Sequence, residues 1–302
     1  MLSQNQMEEI KVENKLEDIT GFTCVYVPVS DVYKAAQWYE TNLGCKLREG
    51  DIMEPGMTGA IMRFPDANGN PHGPTGPVPA MFLLPSGPEG GRLGFTWPNG
   101  ERQAVGCFIT PRIQKLFERF KSNGVNIVDG IRVTCGPNLQ FYDPDGNMWE
   151  VWEPSPEEIN FDENAEDITG ICCFYVPVRD VYETAQWYET NLGCKLREGD
   201  KMEPGMTGAI MRFPDHTGKT QPFGKVPAMF LLPSGAEGGR LGFSWPDGDR
   251  QAVGCFITPR IQELFDRFKK NRVSIVDDIR ITCGPNLQFY DPEGNMWEIW
   301  QP

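Results

Sequence analysis

Two glutamates, Glu150 and Glu298, occupy the same place in a repeated GNMWE segment near the end of each half of the chain. A glutamate held among tryptophan and methionine side chains can act as a general base or as the counter-charge for a cationic ligand. The structural alternative pairs it with a backbone donor or with an arginine such as Arg63. Because an inward acid in apolar surroundings is desolvated, we expect a raised pKa or a buried partner.

Cysteines are the second group of residues with potential chemistry. An odd count of nine at wide spacings, without a CxxC pair, favours reduced thiols over a disulfide framework or a zinc ribbon. We expect most of them to be small core residues, and near Cys24, Cys107 and their partners in the sequence there is no Lys, Arg or His that would lower a thiol pKa. Cys172 stands alone, and the others form equivalent pairs: Cys24/Cys173, Cys45/Cys194, Cys107/Cys255 and Cys135/Cys283.

Histidine is scarce, which limits metal chemistry. The chain has two histidines, His72 and His216, at non-equivalent places in a Pro/Gly-rich loop. A catalytic zinc site normally takes three protein ligands and a water. With no histidine at equivalent places in the two copies, the sequence predicts no standard metal site and no cofactor.

These residues recur because almost the whole chain is a repeat. Residues 17–153 return, nearly unchanged, as residues 166–302. A repeat of this length predicts two whole domains rather than a solenoid. We expect a disordered polar leader at residues 1–16 and a linker at residues 154–165. The sequence leaves open whether each cleft forms within one copy or from strands exchanged between copies, and whether the protein is a monomer or a homodimer.

Composition narrows the function classes. The chain has 302 residues, of which 39% are hydrophobic and 23% charged, and no apolar run approaches the ~20 residues that span a bilayer. The leader lacks the basic start and apolar stretch of a secretory signal, so we predict a cytoplasmic protein. A net charge of −14 without a basic stripe disfavours nucleic acid and anionic membranes. That charge serves solubility or attracts a cationic ligand.

Hydrophobic periodicity predicts two β-α-β-β-β modules in each copy. The first has a strand at residues 22–29 and a helix at 32–43, which Asp31 can cap and Gly44 can end. Its other strands are predicted at residues 45–48, 59–64 and 78–84. The second module begins with a strand at 103–109 and a helix from Thr110 and Pro111 to about residue 123. Its other strands are predicted at residues 126–128, 132–134, 139–142 and 148–152. The fold class is therefore α+β, with four modules.

One helix end differs between the copies. Arg272 takes the place of Gly124, where a helix of this pattern ends in a left-handed residue. We expect this helix end to carry about 1 kcal/mol of strain, or to use Asn271 instead.

Three motifs together carry a family resemblance: a strand ending in VPVSD, a helix ending in WYETNLG, and a terminal FYDPDGNMWE. They resemble the vicinal oxygen chelate superfamily, which includes glyoxalase I, extradiol dioxygenases, fosfomycin-resistance enzymes and bleomycin-binding proteins. The resemblance covers nearly the whole chain, twice, and implies two tandem glyoxalase-like domains with curled mixed sheets around a cleft. That superfamily contains both enzymes and binding proteins, so its fold does not fix a function.

The resemblance also implies positions for metal ligands, and this sequence departs from most of them. The last-strand acid is kept as Glu150 and Glu298. The first strand of each module and the fourth strand of the first module lack the usual histidine or carboxylate. The residues aligned there are Cys24 and Cys173, Val105 and Val253, and Phe82 and Phe230.

Alternation along the strands predicts the wall of the cleft, because residues two apart face the same side. If the terminal acid points inward, so do the residues two before and two after it, while Trp149 packs in the core. The resulting pocket is aromatic and sulfur-bearing. The expected ligand-binding residues are Phe22, Cys24, Tyr26, Phe82, Val105, Cys107, Met148 and Trp152, with Cys173, Tyr175, Phe230, Val253, Cys255, Met296 and Trp300 in the second copy.

Three functions remain open. The leading hypothesis is a metal-independent binding protein that holds a small aromatic or cationic molecule. The alternative is a glyoxalase- or dioxygenase-like enzyme, in which Glu150 and Glu298 act as general bases or Cys107 or Gln140 completes a metal site with Cys24 and Glu150. The third is a structural protein with vestigial clefts. We expect the non-repeated loop, residues 66–77 against 215–225, to cause any difference in preference between the clefts.

Overall fold

The computed structural model describes residues 19–64, 80–159, 161, 165, 168–213, 228–235 and 238–302. The leader, both histidines and the whole non-repeated loop lie outside these ranges, and so do the expectations that concern them. Each copy contributes two of the helices found in the described ranges, and none of these helices is long and apolar enough to cross a membrane.

The elements repeat in the same order in both copies. The helices are α1 (Val32–Leu43), α2 (Ile113–Ser122), α3 (Val181–Leu192) and α4 (Ile261–Asn271). The strands of the first copy are β1 (Gly21–Val29), β2 (Lys46–Leu47), β3 (Ala60–Arg63), β4 (Ala80–Pro85), β5 (Phe95–Thr96), β6 (Arg102–Gln103), β7 (Gly106–Ile109), β8 (Asn126–Ile127), β9 (Arg132–Val133), β10 (Pro137–Tyr142) and β11 (Met148–Trp152). Those of the second are β12 (Gly170–Val178), β13 (Lys195–Leu196), β14 (Ala209–Arg212), β15 (Ala228–Pro233), β16 (Phe243–Ser244), β17 (Arg250–Gln251), β18 (Gly254–Ile257), β19 (Ser274–Ile275), β20 (Arg280–Ile281), β21 (Pro285–Tyr290) and β22 (Met296–Trp300).

Both large sheets combine strands from the two copies. One has the order β19-β21-β22-β18-β1-β4-β3-β2, with β20 beside β21, and the other has β13-β14-β15-β12-β7-β11-β10-β8, with β9 beside β10. The copies meet at the antiparallel pairs β1/β18 and β7/β12, which share one register: Gly21 lies opposite Ile257 and Gly170 opposite Ile109. The α+β fold of four modules is confirmed, and the exchanged arrangement is the one adopted.

Each of these joining pairs contains a β-bulge. The register shifts between Phe22 and Cys24 in β1, and between Ile171 and Cys173 in β12. A bulge adds one residue to a strand and so reverses the alternation on one side of it. Phe22 therefore packs on Phe256, at 4.4 Å between ring centroids, among core aromatics. The expectation that Phe22 faces the cleft with Cys24 is wrong for this reason.

The helices begin and end for local and non-local reasons. Asp31 accepts a hydrogen bond from Lys34 N (3.1 Å), and Gly44 ends α1 with φ +72°, both as predicted. In contrast, α2 begins at Ile113, not at Pro111. Its first free N–H donates to Glu153 Oε2 (2.5 Å), a side chain just beyond β11. The start of α2 is thus fixed by a cap forty residues away in the chain.

A buried polar network ties the two modules of one copy together. Tyr39, on α1, donates to Asp143 Oδ2 (2.7 Å) and accepts from Trp149 Nε1 (2.9 Å). Asn147 donates to the same carboxylate and to the carbonyl of Pro28 on β1 (2.9 Å). Burial raises the pKa of Asp143 to about 6. The FYDPDGNMW motif is therefore a structural connector, repeated as Tyr188, Asp291 and Trp297.

We predict that Tyr39→Phe lowers the free energy of unfolding by about 1–3 kcal/mol, because it removes a donor to Asp143 and the acceptor for Trp149 in a buried site. Urea unfolding followed by tryptophan fluorescence measures this. Tyr33→Phe is the matched control, since its partly exposed hydroxyl only accepts from Gln37, and it should cost less than about 0.5 kcal/mol. Equal costs for the two variants would contradict the network.

The end of α4 is strained as expected. Arg272 takes the left-handed conformation, with φ +58°, whereas Gly124 has φ +69° at the equivalent place. The backbone conformation is the same in both copies, and a Cβ on Gly124 would meet nothing within 4 Å, so the cost of a side chain here comes from the left-handed backbone and not from lack of space.

We predict that Arg272→Gly raises the free energy of unfolding by about 0.5–1 kcal/mol, because glycine adopts the left-handed region without a Cβ clash. The mirror variant Gly124→Arg should lower it by a similar amount. Differential urea unfolding of both variants tests this, and a change of the same sign in the two would refute the explanation.

Candidate functional site

The exchanged sheets create two equivalent clefts, each walled by both copies. Cleft I lies where β7 and β11 of the first copy meet β12, β14 and β15 of the second. Cleft II lies where β18 and β22 meet β1, β3 and β4. Each cleft therefore joins the second module of one copy to the first module of the other.

Glu150 is the polar centre of cleft I. Tyr175, from the other copy, donates its hydroxyl to Glu150 Oε1 (2.7 Å). Gln140 donates to Oε2 (3.0 Å), and Arg132 Nη2 lies 3.4 Å from the same oxygen. Both carboxylate oxygens thus accept hydrogen bonds, and the Glu150 side chain is 14% exposed. The partner is Arg132, and Arg63 belongs to the strands that build cleft II.

Cleft II repeats this arrangement with small differences. Tyr26 donates to Glu298 Oε1 (2.8 Å), and Gln288 donates to Oε2 (2.9 Å). Arg280 lies farther away, with Nη2 3.9 Å from Oε2. The thiol of Cys255 lies 3.8 Å from Oε1.

The electrostatics of cleft I follow from burial. Desolvation raises the pKa of Glu150, and the hydrogen bond from Tyr175 and the charge of Arg132 oppose that shift. Burial also raises the pKa of Tyr175 well above its ordinary value, so its hydroxyl is a neutral donor. Glu150 is consequently a carboxylate held by three donors and sensitive to the loss of any of them.

Cleft I encloses a cavity of about 230 Å³. Most of its wall is apolar or sulfur-bearing, and its charged groups are two glutamates and two arginines. The ring of Phe230 lies beside Tyr175, with centroids 6.0 Å apart, and a Cβ on Gly208 would lie 2.9 Å from it. The lining residues are Cys107, Ile109, Cys135, Glu150, Trp152, Glu158, Ile159, Cys172, Cys173, Tyr175, Arg197, Ile210, Arg212, Ala228 and Phe230.

Comparison with known proteins agrees with this architecture. The model of the Glyoxalase/Bleomycin resistance protein/Dioxygenase superfamily matches twice, over residues 21–151 and 170–299. The chain belongs to this superfamily. The comparison with curated proteins gives no match.

Solved structures of similar fold include maize enzymes. Glyoxalase I from Zea mays is 20% identical, with a TM-score of 0.62 over 93% of this chain and 92% of that one. A point mutant of the same enzyme gives 0.64 at 20% identity over 97% and 96%. A candidate dioxygenase from Bacillus subtilis gives 0.60 at 16% identity over 94% and 86%. At these identities the likeness shows the fold alone.

The metal ligands implied by the superfamily resemblance do not fit this cleft. The register places Cys107, and not Val105, beside Glu150, and Phe230 offers no donor. Both oxygens of Glu150 are already hydrogen-bonded. Among the described residues, no group of three His, Cys, Asp or Glu side chains is placed to hold a metal ion. The absence of a metal stays a prediction, and no chemical step is assigned to one.

The structure brings most of the predicted wall residues together, in a different combination from that expected. Glu150 shares cleft I with Cys173 and Tyr175, so the pairing of Cys24 with Glu150 is wrong, because β1 joins β18 rather than β7. Those expected residues that line the cavity are Cys107, Glu150, Trp152, Cys173, Tyr175 and Phe230. Their counterparts in the strands of cleft II are Cys255, Glu298, Trp300, Cys24, Tyr26 and Phe82.

Four expected wall residues lie in the core instead. Each is about 1% exposed, and the two from the first copy are not part of the cavity wall: Val105, Met148, Val253 and Met296. They lie at the ends of the strands that line the clefts, where the backbone of Tyr175 donates to the Val105 carbonyl (3.0 Å).

Sequence reasoning missed much of the cavity wall, including Cys172 and Arg212, and it missed Arg132, which contacts Glu150 without lining the cavity. Cys172 reaches the cavity through the bulge, for which the sequence has no signal. Arg132 and Arg212 act across strands whose pairing is not local. The alternation of β14 could have suggested Arg212, because Ile210 and Arg212 share one face.

We predict that Tyr175→Phe raises the pKa of Glu150 further, because it removes the hydrogen bond that favours the ionised carboxylate. Titration of ¹³C-labelled glutamate by NMR, with the signal assigned by Glu150→Gln, measures this. Tyr182→Phe is the control, because its hydroxyl contacts Gln186 on the exposed face of α3. An unchanged or lower pKa in Tyr175→Phe would refute the role given to this contact.

Proposed function

We propose that the protein binds a small, flat aromatic molecule in its clefts without a metal. The observation that carries the proposal is the cavity of about 230 Å³ beside Tyr175 and Phe230, whose one central carboxylate is already held by the protein. Ligand pockets are mostly apolar clefts with a few placed polar groups. Cleft I has this composition.

The size of the cavity limits the ligand. A cavity of about 150 Å³ accommodates benzene, and drug-sized ligands occupy roughly 300–1,000 Å³. A volume of about 230 Å³ therefore suits one ring with substituents or two fused rings. Ile210, Ala228 and Trp152 supply apolar walls for such a molecule.

The charges of the wall favour a neutral ligand over a charged one. Both carboxylates at the cavity accept hydrogen bonds within the protein: Glu150 from Tyr175, and Glu158 from the backbone of Ser155 (2.8 Å). Arg197 and Arg212 line the same cavity, and Arg197 is ion-paired with Asp200 (2.9 Å). The charges of the two glutamates and two arginines in the wall balance, so the cavity offers a cation no net attraction. Of the two ligand classes expected from the sequence we therefore keep the aromatic one.

A second candidate is an enzyme in which Glu150 acts as a general base. The raised pKa of Glu150 and its place on the cavity wall favour it, since a base works best with a pKa nearer neutrality. Against it, three donors hold the carboxylate. A probe that is consumed by the protein, but not by the double variant Glu150→Gln, Glu298→Gln, would favour this candidate over pure binding.

We predict that quinoline binds, and that N-methylquinolinium, of nearly the same shape but positively charged, binds at least about tenfold more weakly, because a cation would lose its water in a largely apolar cavity whose charges balance. Isothermal titration calorimetry measures both. Ala228→Leu fills cleft I, and Ala80→Leu makes the same change in the strand of cleft II. Each variant should remove binding at one cleft, and the double variant at both. Heat that persists in the double variant, or no heat from quinoline, would refute the proposal.

A further inference from the structure

Three thiols meet in cleft I. Cys107, on β7, lies directly opposite Cys173, on β12, in the antiparallel pair that joins the copies. The bulge brings the neighbouring Cys172 to the same cavity, with the two sulfurs 3.8 Å apart. Cys107 is buried, whereas Cys172 and Cys173 are half-buried at the cavity wall. A small molecule in the cavity would therefore touch sulfur.

The groups around Cys173 differ in their effect on its thiol. Its contacts with Cys107 and Cys172, and then the charge of Arg212, hold the pKa of the Cys173 thiol well below its ordinary value, against the effect of burial. Burial raises the pKa of Cys107 well above its ordinary value, and the charge of Glu150 adds to that shift. The Cys172 thiol donates to Cys173 Sγ (3.8 Å), whereas Cys107 donates to the Phe108 carbonyl and Tyr175 to Glu150.

We propose that Cys173 is the nucleophile of a covalent site in cleft I that captures α,β-unsaturated carbonyl compounds. A thiolate is the reactive form of cysteine, and it is soft enough to add to a polarised carbon–carbon double bond. The sulfur forms a bond to the β-carbon, and the π electrons move towards the carbonyl oxygen. The resulting enolate takes a proton from solvent at its α-carbon. No bond other than the double bond is lost, and no oxidant is needed.

Cleft II provides an internal comparison. Its equivalent thiols are Cys24 and Cys255, and Thr23 occupies the bulge position that Cys172 has in cleft I. The junction of β1 with β18 thus has two thiols where the junction of β7 with β12 has three; Cys135, the fourth cysteine of the cleft I wall, lies outside that junction. This capture goes beyond the non-covalent binding proposed above, and it distinguishes two clefts that share their tyrosine, glutamate and phenylalanine.

The test uses the full chain carrying Cys135→Ser and Cys283→Ser, which removes the two exposed thiols. N-ethylmaleimide is an α,β-unsaturated carbonyl compound slightly smaller than quinoline. It is added at pH 7, and peptide mass spectrometry follows the fraction of each cysteine that is modified with time. We expect Cys173 to react at least about tenfold faster than Cys24. Equal rates at the two residues would overturn the proposal.

Two further variants test whether the reaction rate of Cys173 depends on the neighbouring thiols or only on how accessible its own thiol is. Cys172→Thr gives cleft I the threonine that cleft II has as Thr23, and it should slow the reaction of Cys173 several-fold. Thr23→Cys builds the third thiol into cleft II and should accelerate Cys24. Melting temperatures equal to the parent's show that both variants fold. The proposal fails if neither rate changes, or if the saturated analogue N-ethylsuccinimide adds mass to Cys173. Quinoline binding is measured separately, so either proposal can fail alone.

Discussion

The antiparallel pairing of β1 with β18 and of β7 with β12 is the constraint on which the rest of this structure depends. These pairs join the copies through backbone hydrogen bonds in one shared register, Gly21 opposite Ile257 and Gly170 opposite Ile109. Sheet pairing fixes which side chains face each other, since a one-residue shift would turn every side chain to the other face. The composition of both clefts follows from this pairing.

The hydrogen bond between a tyrosine of one copy and a glutamate of the other links fold to chemistry. Burying a carboxylate is costly unless donors replace its lost water. Tyr175 on Glu150 and Tyr26 on Glu298 supply part of that replacement across the junction, at 2.7 and 2.8 Å. The acid that the superfamily resemblance associates with metal binding thus has, in this chain, a role in holding the copies together. Because these hydrogen bonds satisfy the Glu150 carboxylate within the protein, the rest of the cavity wall can be largely apolar.

Local structure could be predicted from the sequence where its causes are local. The bounds of α1 follow from helical periodicity and from caps at Asp31 and Gly44, which lie next to the helix. The strain at Arg272 could be anticipated because one backbone position alone requires it. The start of α2 could not, since its cap, Glu153, comes from a distant part of the chain.

The candidate site was predictable in its residue types but not in its assembly. Alternation identified Tyr175, Phe230 and Cys107 as wall residues, because each strand face is a local property. It placed Phe22 wrongly, because a bulge between Phe22 and Cys24 is set by how the strand bends against its partner. It also could not say that Glu150 faces Tyr175, because nearly identical copies offer two equally good partners for every strand.

Because the copies exchange strands, the segment that is repeated in the sequence is not the segment that forms a cleft. Each copy gives its second module to one cleft and its first module to the other. Loss of one copy by recombination would remove half of both clefts at once, so the clefts are gained and lost together. A substitution within a single module alters one cleft, as Cys172 against Thr23 already does. The two clefts can therefore diverge in specificity, while a copy on its own would need a second copy to complete any cleft.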